Sequence, residues 1–344
     1  MSENNFRARV PPIENAVRPL WSVMIPAYNR GDYLRETLAD VLAQDPGPEI
    51  MQIEVIDDCS PEEDLEAIVR EVGGGRVGFY RQPYNVGHVK NFQTGLERST
   101  GRLIHLLHGD DRVRPGFYEK MRAAFARHPE IGAAFCRHIF IDERGHWLYL
   151  SSLERSTDGI LENWLERIAV EQRIQTPSIV VRREVYERLG GFDRRLPGSC
   201  EDWEMWVRIA ARYPVWYDTE PLALYRVHAN SITGGQLGSA ADLRDARRAI
   251  AIFEADLPAG SAARLTAKAL ENWAVNAIRH TIPERLAEND LPGARAQLWE
   301  ALRTSRAPSV WLQLLALGLR LGKRRSIDIL RTLAGENRQP GRIS

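Results

Sequence analysis

From Trp21 onward the chain alternates short apolar runs with amphipathic stretches, which is how parallel strands joined by crossover helices are written in sequence. "WSVMIP" predicts a first strand, and "RGDYLRETLADVLAQ" a helix whose Leu34, Leu38, Val41 and Leu42 share one face. "IEVIDD" predicts a second strand. "CSPEEDLEAIVREV" then opens with Ser60 as N-cap, Pro61 at the first helical position and Glu63 placed for a capping box, with Leu65, Ile68, Val69 and Val72 as its stripe. "VGFYRQ", "HVKNFQTGLERS", "RLIHLLHGDD" and "PGFYEKMRAAFARH" continue as strand, helix, strand, helix. Further on, "HIFIDERGHWLYL" reads as a hairpin turning at Gly145, and "TPSIVVRREVYERLGGFD" as a strand, a short helix and a glycine stop. "SCEDWEMWVRIAARY" is a helix with Trp203, Trp206, Val207 and Ala210 on its apolar face.

Two of these strands end in acids, at Asp57-Asp58 and Asp110-Asp111. One acidic strand end alone is more commonly a solvated turn. In an open α/β sheet, however, ligands bind outside the carboxyl ends of the strands, so two such ends point to one crevice. After about Asn230 the style changes. "SITGGQLGSA" reads as a glycine-rich linker or a mobile loop over the site, and the remainder is alanine- and leucine-rich with helical periodicity. The division expected is an arm over 1–19, an α/β domain over 20–240 and a helical region over 241–344.

Composition narrows the classes. With 46 basic and 46 acidic residues there is no global field to recruit nucleic acid, and 44% hydrophobic content is that of a globular protein. Cys59, Cys136 and Cys200 stand apart, form no C-x-x-C pair and suit a reducing compartment. The N-terminus has charges and prolines where a signal peptide needs an apolar core, and reads as a loose arm. A cytoplasmic location is therefore expected. "SVWLQLLALGLRLGKRR" is too short and too polar to span a bilayer. Ended by Arg320, Lys323, Arg324 and Arg325, residues 309–325 either lie on the inner face of an anionic membrane, or pack on the catalytic domain or a dimer partner.

No G-x-G-x-x-G follows a strand, since the glycines at 73–75 end a helix, and no G-K-[ST] follows one either. A dinucleotide oxidoreductase and a P-loop enzyme are thus disfavoured. An acidic strand end suits a hard, oxygen-ligated cation such as Mg²⁺ or Mn²⁺, with phosphate oxygens completing its shell. Such a cation acts as a Lewis acid toward a leaving diphosphate.

"SVMIPAYNR", "EVIDDCS", "YNVGHVKNFQTGL", "LLHGDD", "TPSIVVRREVYERLGGFD", "EDWEMWVRIA" and "YRVHANSIT" occur in the order and near the spacing of family-two glycosyltransferases, which the chain resembles over residues 20 to 233. The resemblance implies a GT-A fold, a Rossmann-like, mostly parallel sheet flanked by helices, here with a helical appendage. It implies inverting transfer of a sugar from a nucleoside-diphosphate donor, with UDP-sugars the family's common donors, to a carbohydrate, lipid-linked or small-molecule hydroxyl. By the same resemblance Pro26, Ala27, Tyr28 and Asn29 shape a nucleoside pocket, Asp58 with Asp57 holds base or ribose, and Asn85, Lys90 and Asn91 contact the donor. His108-Gly109-Asp110 stands where the family usually has D-x-D, which makes Asp110 the expected metal ligand with Asp111 beside it. His108 departs from that pattern, and contacts the ribose, ligates the ion or packs at a turn. Asp202, assisted by Glu201, is the expected base, against the reading of two acids that only stabilise a helix N-terminus. His228 falls where relatives approach the diphosphate or metal. Trp203 and Trp206 either pack the helix or stack on a sugar. The competing functions are a GT-A-like protein that binds nucleotide-sugar or glycan without transfer, and a nucleotidyltransferase. The latter needs a glycine- and lysine-rich loop that "PAYNRGDY" does not supply.

Overall fold

The computed structural model describes residues 6–13, 17–228 and 238–333, with side chains as far as Gly322. The glycine-rich stretch read as a linker or loop falls mostly on 229–237, outside the described residues.

The strands are β1 (Trp21–Ala27), β2 (Met51–Asp57), β3 (Gly78–Arg81), β4 (Leu103–Leu106), β5 (Arg112–Val113), β6 (Ala133–Ile141), β7 (Trp147–Leu150), β8 (Gly159–Ile160), β9 (Ile179–Arg182) and β10 (Val215–Arg226). Helices α1 (Gly31–Leu42), α2 (Leu65–Gly73), α3 (His88–Arg98), α4 (Phe117–Arg127), α5 (Trp164–Ile168), α6 (Arg183–Leu189) and α7 (Glu201–Ala210) connect them. The sheet runs β3-β2-β1-β4-β9-β6-β10-β5, with β7 on β6 and β8 on β10. Its first four strands are parallel, as the alternating pattern predicts. Beyond β4 the sheet is mixed, because β9 enters antiparallel between β4 and β6 while β6 and β10 run parallel. The 145 hairpin forms as read, with Gly145 at φ +83°.

The chain leaves β1 for β2 on one side and later returns to place β4 on the other. That reversal opens a crevice at the carboxyl ends of β1 and β4. Apolar clusters on both faces fix the strands, one around Met24, Phe92, Trp203 and Tyr217, the other around Val23, Leu38, Val55 and Met121.

Two local expectations are corrected. Ser60 does not cap a helix. It donates its N–H (3.0 Å) and hydroxyl (2.5 Å) to Asp57 Oδ1 and accepts the N–H of Asn29 (2.7 Å), while Glu63 accepts the N–H of Gly31 (2.7 Å). The helix starts later, at Leu65, capped by Asp64, which accepts from Ala67 N–H. Nor is the N-terminal arm loose over residues 6–13. Ala8 and Val10 are buried, Ala8 pairs with the backbone around Gly191, and Arg7 reaches Glu204 and Asp256.

Beneath that arm, Glu204 and Arg208, one turn apart on α7, form a fully buried ion pair (2.7 Å) whose guanidinium also donates to the carbonyls of Leu189 and Gly191. Glu204→Ala leaves that charge buried without its carboxylate. We expect a loss of about 3–5 kcal/mol in unfolding free energy, read from urea titration. A loss below about 1 kcal/mol would show that water or another acid compensates.

The helical region consists of α8 (Ala241–Phe253), α9 (Ala262–Asn276), a π-helical turn (Ala277–Thr281), α10 (Ile282–Ala287), α11 (Leu291–Thr304) and α12 (Pro308–Leu333). It docks behind α7, where Phe253 and Trp273 meet the ring of Trp203 at 5.1 and 5.7 Å. Among the described residues no helix is long and apolar enough to cross a membrane. α12 bends at Gly322 (φ +73°) and leaves Trp311, Leu312, Leu315 and Leu319 exposed, the segment read as a membrane-surface or dimer contact. The side chains of Lys323, Arg324 and Arg325 lie outside the described residues.

Candidate active site

The exit from β4 comes within packing distance of β1. Gly109 donates to the carbonyl of Pro26 (2.9 Å), and a Cβ on it would stand 3.1 Å from that of Ala27, so a larger residue would push the β4 exit and β1 apart by a few tenths of an ångström. Thr37 on α1 donates to the Asp111 carbonyl (2.7 Å) and holds the turn from the other side. His108, Asp110 and Asp111 are thereby gathered, with one ligand atom from each within 4.8 Å of the others.

Their environments differ. Burial opposes ionisation of Asp110, but the hydrogen bond from His228 Nε2 (3.0 Å) and the nearby His108 prevail, holding this carboxyl below its usual range. Burial, then repulsion from Asp110, drives Asp111 well above it, although Arg226 N–H donates to its Oδ1 (2.9 Å). His108 stacks on Phe92 (4.7 Å), and burial lowers its pKa. His108 Nε2 and Asp111 Oδ2 are buried with no hydrogen-bond partner, and His108 Nδ1 lies 3.8 Å from that oxygen, so both side chains keep capacity for a bound group. Two carboxylates and one imidazole fit Mg²⁺ or Mn²⁺ that keeps other positions for phosphate. His228 stands behind Asp110 and orients it, outside the three-residue donor set.

Arg226 was not singled out from the sequence, although it sits two residues before His228. It is buried, donates through Nε to the Asp110 carbonyl (2.8 Å) and through Nη2 to Glu36 (2.8 Å), and lies 4.2 Å over the Tyr33 ring. One guanidinium therefore ties β10, the β4 exit and α1 together.

On the neighbouring strand end the two aspartates face different tasks. Asp57 is fully buried, engaged with Ser60 and 3.5 Å from Arg81, so its side chain braces the turn. Asp58 accepts the N–H groups of Val86 (2.7 Å) and Gly87 (3.0 Å), which pins the loop before α3. Burial raises its pKa. Asn91 is likewise inward, donating to the Ile56 carbonyl (2.7 Å). Tyr28, Asn85 and Lys90 are exposed around this end, while Pro26 and Ala27 form the buried floor. Asn29, Arg30, Cys59 and Cys200 all hold left-handed backbone, a strain that well-supported functional sites store.

α7 supplies the opposing wall. Its start is fixed by Trp203, whose indole N–H donates to the Ile168 carbonyl (2.6 Å), and both Trp203 and Trp206 are too buried to stack on a sugar. Asp202 Oδ1 accepts the N–H of Trp203 (2.6 Å), so the helix-stabilising role is present. Oδ2 accepts from Gln172 (2.8 Å). Burial, then the charge of Glu201, pushes the Asp202 carboxyl up to about 7, which a capping acid does not need and a base at neutral pH does. His88 lies 3.4 Å from Glu201. Burial works against its protonation, yet Glu201, Asp202 and Asp58 together hold it above its usual value. His108 in turn feels both Asp110 and Glu201. The acids on β2, β4 and α7 thus share electrostatic neighbours across one crevice.

This architecture has counterparts. The family model of glycosyl transferase family 2 matches residues 22–190. Uncharacterized protein MT1568 of Mycobacterium tuberculosis is 27% identical over 68% of this chain and 75% of its own. Uncharacterized glycosyltransferase RP339 of Rickettsia prowazekii is 24% identical over 67% and 71%. Among solved structures, S. aureus TarS 1–349 in complex with UDP-GlcNAc superposes with a TM-score of 0.65 at 16% identity, covering 92% of this chain and 90% of that one. The mannosyltransferase PcManGT of Pyrobaculum calidifontis, in complex with GDP-Man and Mn²⁺, gives 0.53 at 19%, covering 92% and 84%. Residues 22–190 belong to glycosyl transferase family 2, and the chain has the GT-A fold.

Proposed function

We propose that the protein is an inverting glycosyltransferase that moves a sugar from a UDP-sugar to a hydroxyl acceptor, with Asp202 as general base. The observation that carries this reading is the Asp202 carboxyl, raised to about 7 beside Glu201, whose charge also acts on His108 of the Asp110 group. A base poised near the working pH takes the acceptor proton as its oxygen attacks the anomeric carbon, and the bond to the diphosphate breaks with the electron pair leaving on phosphate. Attack from the face opposite the leaving group inverts that carbon. Asp110, with His108 and Asp111 beside it, would hold a divalent cation that offsets charge on the departing diphosphate. The UDP-GlcNAc bound to TarS 1–349 supports a uridine donor, and the Mn²⁺ of PcManGT supports the metal.

The test is a panel of nucleotide-sugars incubated with the protein and Mn²⁺ or Mg²⁺, with released nucleoside diphosphate measured before and after EDTA. Release from a UDP-sugar that EDTA suppresses at least tenfold is expected. Tight donor binding with no release from any sugar would instead identify a binding protein.

A further inference from the structure

Where the helical region meets the catalytic domain, a cleft of about 140 Å³ opens, and one residue of its lining, Gln172, is hydrogen-bonded to Asp202. A cavity of roughly 150 Å³ holds benzene, and a hexose is bulkier, so this cleft, open on one side, would seat one ring with its outer edge in solvent. Its lining includes Gln172, Asp242, Asn272, Trp273, Asn276 and Thr281. Gln172 belongs to both sites. Its amide donates to Asp202 Oδ2 (2.8 Å), while its own Oε1 is buried with no partner. The loop carrying it is braced by Glu154, which pairs with both Arg167 and Arg173.

From the other wall, Asn272 and Asn276 line the cleft one turn apart on α9. Trp273 backs against Trp203 while also lining the cleft. The helix widens into a π-turn directly after Asn276, over Ala277–Thr281. Pro283 accounts for it, because the ring has no N–H to return to the carbonyl of Arg279 and crowds that carbonyl. Such π-turns occur often at functional sites.

Several primary amides and one indole are the chemistry that recognises a sugar. Each amide offers a donor and an acceptor to a hydroxyl, and the aromatic face packs against ring C–H groups. We propose that this cleft is the acceptor subsite, that it takes one hexose-sized saccharide ring, and that Gln172 guides the attacking hydroxyl toward Asp202. The assignment rests on Asp202 being the base. It makes the helical region a part of the specificity machinery, since two of the cleft's walls are helices of that region.

The experiment is saturation-transfer NMR on the full chain with UDP and the diamagnetic Mg²⁺ present. The probes are the methyl glycosides of glucose, galactose, mannose and N-acetylglucosamine, with sorbitol as an open-chain control. At least one glycoside should bind, and Asn272→Ala/Asn276→Ala should weaken it tenfold or more while still binding UDP–Mg²⁺. Both substitutions fall on incompletely buried positions, and UDP binding reports whether the variant is folded. No bound glycoside, equal binding of sorbitol, or unchanged affinity in the double variant would each overturn the assignment. A protein that releases no nucleoside diphosphate but binds a glycoside through Asn272 and Asn276 loses the transferase reading and keeps the saccharide site. One that transfers sugar but ignores the double substitution keeps the first and loses the second.

Discussion

Asp202→Asn should lower turnover by about 10²–10⁴-fold, the usual contribution of a positioned general base, and leave UDP–Mn²⁺ affinity within about twofold of the unaltered protein. The substitution is nearly isosteric. Asn at this position can still accept the Trp203 N–H through Oδ1, and a flip of the Gln172 amide turns its orphaned Oε1 toward the new Nδ2 donor, so the wall of the site is kept. What it loses is the capacity to take a proton. The pH profile gives a second reading of the same claim. Only the ionised carboxyl accepts a proton, and this carboxyl is held up to about 7, so the rate of the unaltered protein should climb between about pH 6 and 8 and level off above. After burial, the charge of Glu201 is the largest cause of that elevation. Glu201→Gln should therefore move the rising limb toward lower pH, because removing a neighbouring negative charge eases ionisation. Asp202→Asn turning over at the original rate would remove Asp202 from the base role, whatever its pKa.

That Asp57-Asp58 and Asp110-Asp111 would share an edge was legible because each pair follows an apolar run of strand length, and strand ends in a parallel sheet lie side by side, whereas Glu201 and Asp202 open a helix. The partners that tune them were not. Ser60, Pro61 and Glu63 carry a strong local start signal, yet Asp57, Asn29 and Gly31 claim their polar groups first, and the helix begins at Leu65 instead. A tertiary contact overrode a local preference there. Arg7 finds Glu204 and Asp256 at separations of 197 and 249 residues, and no pattern near the N-terminus encodes such a distance. Gln172 is a lone amide in a loop, without periodicity to mark it. Arg226 was within sight, in the same stretch as His228, but an arginine inside a strand reads as a solvated charge until Asp111, Glu36 and Tyr33 are seen around it.

Asp110→Ala should strip the crevice of its cation and lower donor turnover by roughly 10³-fold. That figure corresponds to a Lewis-acid contribution of about 4 kcal/mol at tenfold per 1.36 kcal/mol. The argument turns on which of the two adjacent acids is available. Asp111 has one oxygen taken by the Arg226 N–H, and its carboxyl is held well above the usual range by burial and by Asp110. Asp110 is kept ionised by His228 and is the only one of the pair held below that range. Removing it deletes the anionic ligand and also releases repulsion on Asp111, which then ionises more easily, so residual weak metal binding in the variant is expected. His228→Gln tests the orienting contact separately. It keeps a hydrogen-bond donor near Asp110 but removes the imidazole, and a loss of about 10–100-fold in Mn²⁺ affinity is the usual cost of altering a group behind a ligand. Mn²⁺ titration followed by electron paramagnetic resonance, with UDP present, ranks the two variants. The expected order is Asp110→Ala weaker than His228→Gln, and both weaker than the unaltered protein. Mn²⁺ and UDP affinities untouched by Asp110→Ala would place the cation elsewhere and leave the His108, Asp110 and Asp111 cluster as a buried polar turn.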